Sequence, residues 1–165
     1  IEHGVGFRVV PGITSASGCS SYAGFPLTHR DHAQSVTFVT GHCKGDGDLA
    51  LNWAALAVPH HTTVFYMGLT NAELIRSELQ RHGMPAKTPV ALVERGTTPQ
   101  QRHLLTTLGD LVEAIEREAF RPPTLIVVGE VVTLAEILAP AMTRLARDPD
   151  AAVDSLERGM GRMAL

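Results

Sequence analysis

The sequence has little of what marks a disulfide scaffold, a membrane protein or a metal protein. Among its 165 residues are two cysteines, Cys19 and Cys43. They lie too far apart for a Cys-x-x-Cys clamp and are too few for a disulfide framework, so free thiols are expected. No apolar run approaches the roughly 20 residues of a bilayer span, and the short mixed stretch 1–6 has no signal-peptide pattern. No membrane partner is expected, and a cytoplasmic location is the default. The formal net charge of −3 gives no general reason for nucleic-acid binding. Eight histidines are present, but the adjacent pairs His42-Cys43 and His60-His61 point to different sides of any regular element and lack a matching second pair, so no metal is expected. The run Lys44–Asp48, KGDGD, lacks the Asp-x-Asp-x-Asp-Gly ladder and distal Glu of a calcium loop and reads as a polar connection. No internal repeat is visible.

What is there fits one globular domain with a real core: 44% hydrophobic and 19% charged residues in a chain too short for two comfortable domains. The stretch Arg8–Asp31, RVVPGITSASGCSSYAGFPLTHRD, organises the rest. Phe7–Val10 reads as a strand, Pro11-Gly12 breaks it, and Thr14 stands where a helix running to about Gly24 wants its N-cap. That helix is built from Ser, Ala, Gly and Cys, so its backbone can lie close to a packed sheet or to a ligand.

After Asp31 strands and helices alternate at α/β spacing. Ser35–Thr40 is expected as a strand with one well-buried face, 51–57 around Trp53 as a short helix, and Thr62–Tyr66 as a second strand. Met67-Gly68 turns it into a helix Asn71–Arg81 capped by Asn71, with Leu74, Ile75 and Leu79 on one side, ended by Gly83 and Pro85. Val90–Val93 is a strand buried on both faces. Gln101–Leu108 follows after too few residues for a parallel crossover, so it returns antiparallel. A helix Leu111–Glu118, a strand Thr124–Val128 and a helix Thr133–Leu138 complete the pattern. The fold class is therefore α/β, a mixed parallel/antiparallel sheet flanked by helices. Residues 139–165 read as a helical or disordered tail.

Five stretches, VVPGITSASGCSSYAGFPLTHRD, QSVTFVTGH, VFYMGL, PVALVERGTTPQQR and LIVVGEVV, resemble in order and spacing the uroporphyrinogen-III C-methyltransferases of the tetrapyrrole methylase family. The resemblance covers residues 7–138, and the ordered set is far more specific than any one motif. It implies an S-adenosylmethionine cofactor, a tetrapyrrole substrate, a homodimer, and a role in making precorrin-2 for sirohaem or cobalamin. It also implies the C-terminal domain of the tetrapyrrole methylase fold. Residues 1–31 would be the end of the N-terminal domain and its linker, and 32–138 the C-terminal α/β domain. The family's GxGxGD loop and its acid and base residues have no counterpart here, so no catalytic residue is expected in this chain, and the chain by itself is expected to be inactive.

Carried over motif by motif, the resemblance implies that Thr14, Ser15, Met67 and Gly96 contact the cofactor. Thr14 and Ser15 would supply hydroxyl and helix N-terminal amides, Met67 a soft apolar surface, and Gly96 close backbone approach. Without the resemblance, Met67 would be core packing and Gly96 a turn glycine. The family usually has Ala at the position of Ser15 and commonly Asn at that of Arg95. A substrate with acetate and propionate groups needs cations, and His29, Arg30, His42, Lys44 and Arg102 all sit at element ends beside the motifs. Of these, Arg30, Arg102 and His29 are expected at the substrate, against the alternative of inter-element ion pairs such as Arg102 with Glu94. Two other functions remain open: a related methylase acting on another corrin precursor, and a non-catalytic dimerisation fragment.

Overall fold

A computed structural model describes residues 2–42 and 49–138. The β-branched and apolar runs form five strands: β1 (Ser35–Thr40), β2 (His61–Tyr66), β3 (Pro89–Glu94), β4 (Arg102–Thr107) and β5 (Thr124–Val128). They make one sheet in the order β1-β2-β5-β3-β4. Only β1 and β2 run parallel; the β2–β5, β5–β3 and β3–β4 pairs are antiparallel. The mixed sheet and the antiparallel return of β4 are as the sequence led one to expect.

Because side chains alternate along a strand, neighbouring residues of the central strands feed two separate cores. On one face Phe65, Leu92 and Ile126 pack with Ile75 and Leu79 of α3 (Ala72–Arg81) and Leu111 of α4 (Leu111–Arg117), and with Trp53 and Leu56 of α2 (Trp53–Leu56). On the other, Val64, Val93 and Val127 pack with Ala16, Cys19 and Ala23 of α1 (Ser15–Ala23) and with Val131 and Val132 of a 3₁₀ turn, Glu130–Leu134. Every residue of β5 is buried, as a central strand covered on both faces must be.

Several expectations need correction. Phe7–Val10 forms no strand and is exposed, with Val9 at 82%; among the described residues no segment pairs with it, and an extended run needs a partner strand to satisfy its backbone groups. β1 lacks the well-buried face anticipated from its alternation, since it is the sheet edge and Phe38 is 48% exposed. Phe38 instead sets its ring edge-on to that of Tyr66, centroids 6.3 Å apart. α2 is one turn, opened by Asn52, whose Oδ1 accepts from the Ala55 amide at 3.3 Å. Asn71 stands before α3 without capping it; its amide donates to the Gly41 carbonyl at 2.6 Å and ties the end of β1 to α3. The last helix begins as the 3₁₀ turn and continues over 135–138. Lys44–Asp48 and the tail lie outside the described residues. Among the described residues no helix is long and apolar enough to cross a membrane.

Candidate functional site

The carboxyl ends of β2 and β3, the amino end of β5 and the first turn of α1 meet around a cavity of about 610 Å³. Ser15, Met67 and Gly96, three residues expected at the cofactor, all line it. Thr14 lies directly behind: its hydroxyl is hydrogen-bonded to that of Tyr66, which also lines the cavity. Thr14 occupies the N-cap position but makes no capping bond of its own. The Tyr66 hydroxyl takes over that task, accepting from the Ala16 amide at 3.0 Å. A strand end thereby supplies the cap to one of the donors a helix start leaves unpaired, and fixes the first turn of α1 against the cavity.

Met67 is 62% exposed, which excludes the core-packing role such a residue usually has. Its φ of 54° puts a non-glycine residue in the left-handed region, a costly conformation that persists only where surroundings impose it. The result is a thioether held at the cavity wall.

Gly96 sits in the β3–β4 turn, where a Cβ would fall 2.1 Å from Cys19 Sγ. Gly18, one helical position away, would bring a Cβ to 2.9 Å from Thr97 Cγ2. The small residues of α1 therefore serve tight packing against this turn, and that packing brings the helix start to the cavity. The turn is braced: Thr97 N donates to Gln101 Oε1 at 2.6 Å and Thr98 Oγ1 to the Arg95 carbonyl at 2.7 Å. Cys19 is buried beside the cavity, and burial pushes its thiol up, outweighing a backbone hydrogen bond. It is a neutral apolar wall, not a nucleophile.

The expected substrate cations are placed apart from this cavity. His29 and Ala33 exchange backbone hydrogen bonds of 2.7 and 2.9 Å, closing a tight turn with Arg30 exposed at its tip. His29 accepts from the Asp31 amide at 3.2 Å through Nδ1, and its ring lies 5.0 Å from that of His32. Arg102 is engaged elsewhere. Its Nε pairs with the carboxylate of Glu94, Nη1 donates to the Glu118 carbonyl at 2.9 Å and Nη2 to that of Ala119 at 3.1 Å, with the guanidinium 4.2 Å above the Phe120 ring. Glu94, 5% exposed, also accepts from the Arg121 amide at 2.7 Å. The Arg102 bond, helped by that amide, holds its carboxyl below the usual range against the cost of burial. In this arrangement Arg102 clamps the α4–β5 connection to β3 and β4, the inter-element ion pair that the sequence offers as the alternative to a substrate contact. Of the other cations, His42 lines the cavity, and Lys44 is outside the described residues.

Sequence reasoning missed Tyr66, Cys19 and the Pro122–Pro123 pair, joined by a cis bond, as parts of this wall. The alternation of β2 does put Tyr66 on the face of Val64, but nothing local shows that α1 starts above it.

A family model described as Tetrapyrrole (Corrin/Porphyrin) Methylases matches residues 1–112, more than half of the chain. The chain belongs to the tetrapyrrole methylase family. Within that family it is 58% identical over 137 residues to the siroheme synthase of Azotobacter vinelandii, and 59% identical over 137 residues to that of Stutzerimonas stutzeri. In each case this is 83% of the chain and 29% of the relative, so the chain spans under a third of these enzymes' length. Among solved structures, it resembles the uroporphyrin-III C-methyltransferase of Thermus thermophilus complexed with S-adenosylhomocysteine, with a TM-score of 0.66 and 35% identity over 79% of the chain and 54% of that protein. A cobalt precorrin-4 methyltransferase matches with a TM-score of 0.68 at 25% identity, over 79% of the chain and 55% of that protein. The tetrapyrrole methylase fold is thus shared with members that act on different tetrapyrroles.

Proposed function

We propose that this chain supplies one wall of the S-adenosylmethionine site of an enzyme that C-methylates uroporphyrinogen III to precorrin-2, on the way to sirohaem or cobalamin. The observation that carries the reading is the convergence of Ser15, Met67 and Gly96 on one cavity, with Thr14 hydrogen-bonded to its wall. These residues come from three separate stretches of the sequence, and the resemblance implies them together for the cofactor alone. The cavity fits such a ligand in kind: its volume lies in the range of small-molecule sites, with apolar side chains from Cys19, Val93 and Leu125 and polar groups at the α1 end.

Bound S-adenosylmethionine supplies an electrophilic methyl group on its sulfonium. This chain's part is to bind and orient. The Ser15 hydroxyl offers a hydrogen bond, Thr14 and the Ala16 amide hold the Tyr66 hydroxyl and so fix the start of α1, and Met67 offers a polarisable surface. Cys19, Val93 and Leu125 exclude water. Such transfer depends on holding donor and acceptor in line at contact distance, so wall rigidity matters more than any one functional group. Arg30, exposed and charged, is offered to a substrate carboxylate beyond the cavity, with His29 beside it in the same turn. Self-association as a homodimer belongs to the same proposal.

Titration of the whole protein with S-adenosylhomocysteine in a calorimeter tests the cofactor reading, and methyl transfer to uroporphyrinogen III tests the reaction. Saturable one-site binding is expected; its absence overturns the reading. In the same assay Met67→Asp should weaken binding by roughly tenfold or more, since a solvated carboxylate is placed against an apolar part of the ligand. A normally folded Met67→Asp protein with unaltered affinity would remove Met67 from the site.

A further inference from the structure

Among the described residues that line the 610 Å³ cavity, Arg95 is the one lysine or arginine, and none is an aspartate or glutamate. Its neighbour in sequence, Glu94, is the acid that would ordinarily neutralise it. Both sides of that carboxylate are already taken, one oxygen by Arg102 Nε and the other by the Arg121 amide. No ion pair to Arg95 occurs among the described residues. The backbone at Arg95 is held firmly: φ is 49°, its amide donates to the Pro123 carbonyl at 3.0 Å, and its carbonyl accepts from the Thr98 amide at 3.3 Å and the Thr98 hydroxyl at 2.7 Å. A non-glycine residue kept in the left-handed region by three hydrogen bonds has a fixed root, which lowers the entropy lost when its side chain engages a ligand. The site therefore presents an exposed guanidinium at the rim of apolar walls; it acts on the Glu94 carboxylate only through space, as the last of the influences that lower that group, and its hydrogen-bonding fork is not engaged by a carboxylate of the described residues.

We propose that Arg95 determines specificity in this cavity by binding a carboxylate of the ligand through its guanidinium fork. This deepens the cofactor reading and rests on it for the identity of the ligand. Two sources of carboxylate are available under that reading, the amino-acid end of the cofactor and an acetate or propionate of the tetrapyrrole. A planar fork matches a carboxylate with two parallel hydrogen bonds, which a lysine ammonium does not reproduce.

The test uses the whole protein with Arg95→Ala and Arg95→Lys and three probes: S-adenosylhomocysteine, 5′-methylthioadenosine, which keeps the nucleoside thioether but has no carboxylate, and uroporphyrin III followed by its fluorescence. If the cofactor provides the carboxylate, Arg95→Ala weakens S-adenosylhomocysteine at least tenfold and leaves 5′-methylthioadenosine within about twofold; Arg95→Lys falls between. If the tetrapyrrole provides it, the tenfold loss appears with uroporphyrin III alone. Either pattern supports the proposal. Unchanged affinity for all three probes in the folded Ala variant overturns it while leaving the cofactor reading intact. So does a parallel loss for all three with a lowered melting temperature, which marks a structural residue. A wild-type protein that binds neither nucleoside overturns the cofactor reading alone, and Arg95 is then judged on the uroporphyrin III arm.

Discussion

Gly96→Ala is expected to destabilise the protein by about 3 kcal/mol, at the upper end of what overpacking costs, and to weaken S-adenosylhomocysteine binding with it. Backbone conformation is not the reason, since Gly96 does not lie in the left-handed region; the reason is contact. The added methyl would meet Cys19 Sγ at 2.1 Å and Cys19 Cβ at 3.2 Å. Neither side can retreat cheaply. Cys19 belongs to a helix whose Ala16 and Ala23 are 1% and 0% exposed against the sheet, and the opposing turn is braced by the Thr97 and Thr98 hydrogen bonds. Relief must come from moving α1, which carries Ser15 away from the cavity. The check is a double-mutant cycle read by denaturant unfolding. Cys19→Ala removes the sulfur and leaves only the 3.2 Å contact, so the double variant should recover more than half of the loss. A Gly96→Ala protein as stable as wild type, or a Cys19→Ala background that changes nothing, would mean that the helix does not press on this turn.

Arg102→Ala should lower the melting temperature by on the order of 10 °C, because it strands a buried carboxylate. Glu94 is buried and keeps one amide partner, from Arg121, after the guanidinium is gone. The same truncation frees the carbonyls of Glu118 and Ala119 and uncovers Phe120. The pH dependence follows from the sign of the Glu94 shift. Its folded carboxyl is held below the ordinary value, chiefly by Arg102. The stability this contributes is present in full above the ordinary carboxylate pKa and is lost as pH falls through the depressed folded value. The difference between wild type and Arg102→Ala should accordingly be full at neutral pH and shrink in acid. Melting curves across that range check it. If instead Arg102→Ala melts like wild type while tetrapyrrole affinity falls, the substrate role expected from the sequence is restored.

The two cases show where sequence reasoning stops. The motif marks Gly96 for close backbone approach to a cofactor, not to a helix. The thin helix 15–23 was equally visible as something that must lie near another surface. That the surface is the turn carrying Gly96, Cys19 against glycine and Gly18 against Thr97, joins positions nearly 80 residues apart, and no local pattern contains it. For Arg102 the choice between substrate and ion pair stood open because a guanidinium at a strand end looks the same in either role. The contacts seen depend on the carbonyls of Glu118 and Ala119 and the ring of Phe120, which α4 delivers only once it has packed. Phe7–Val10 failed for a related reason: β propensity describes a residue's fit to a pleated surface, and a strand still needs a neighbour.

By itself the sequence determined the order and kind of the elements from β1 to β5, the antiparallel return of β4, the start of the small-residue helix, and a set of positions of which Ser15, Met67 and Gly96 line one cavity. These are written in short-range periodicity, turn residues and ordered motifs, which survive without knowledge of the partner across the fold. The tertiary structure alone decided that β1 is an edge, that Tyr66 caps α1 from another element, that Met67 faces out, that Arg102 is spent on Glu94, and that Arg95 is the charge left beside the cavity. Each of those depends on which groups the packed sheet and helices bring within a few ångströms, and on which carboxylate is already engaged when a cation arrives.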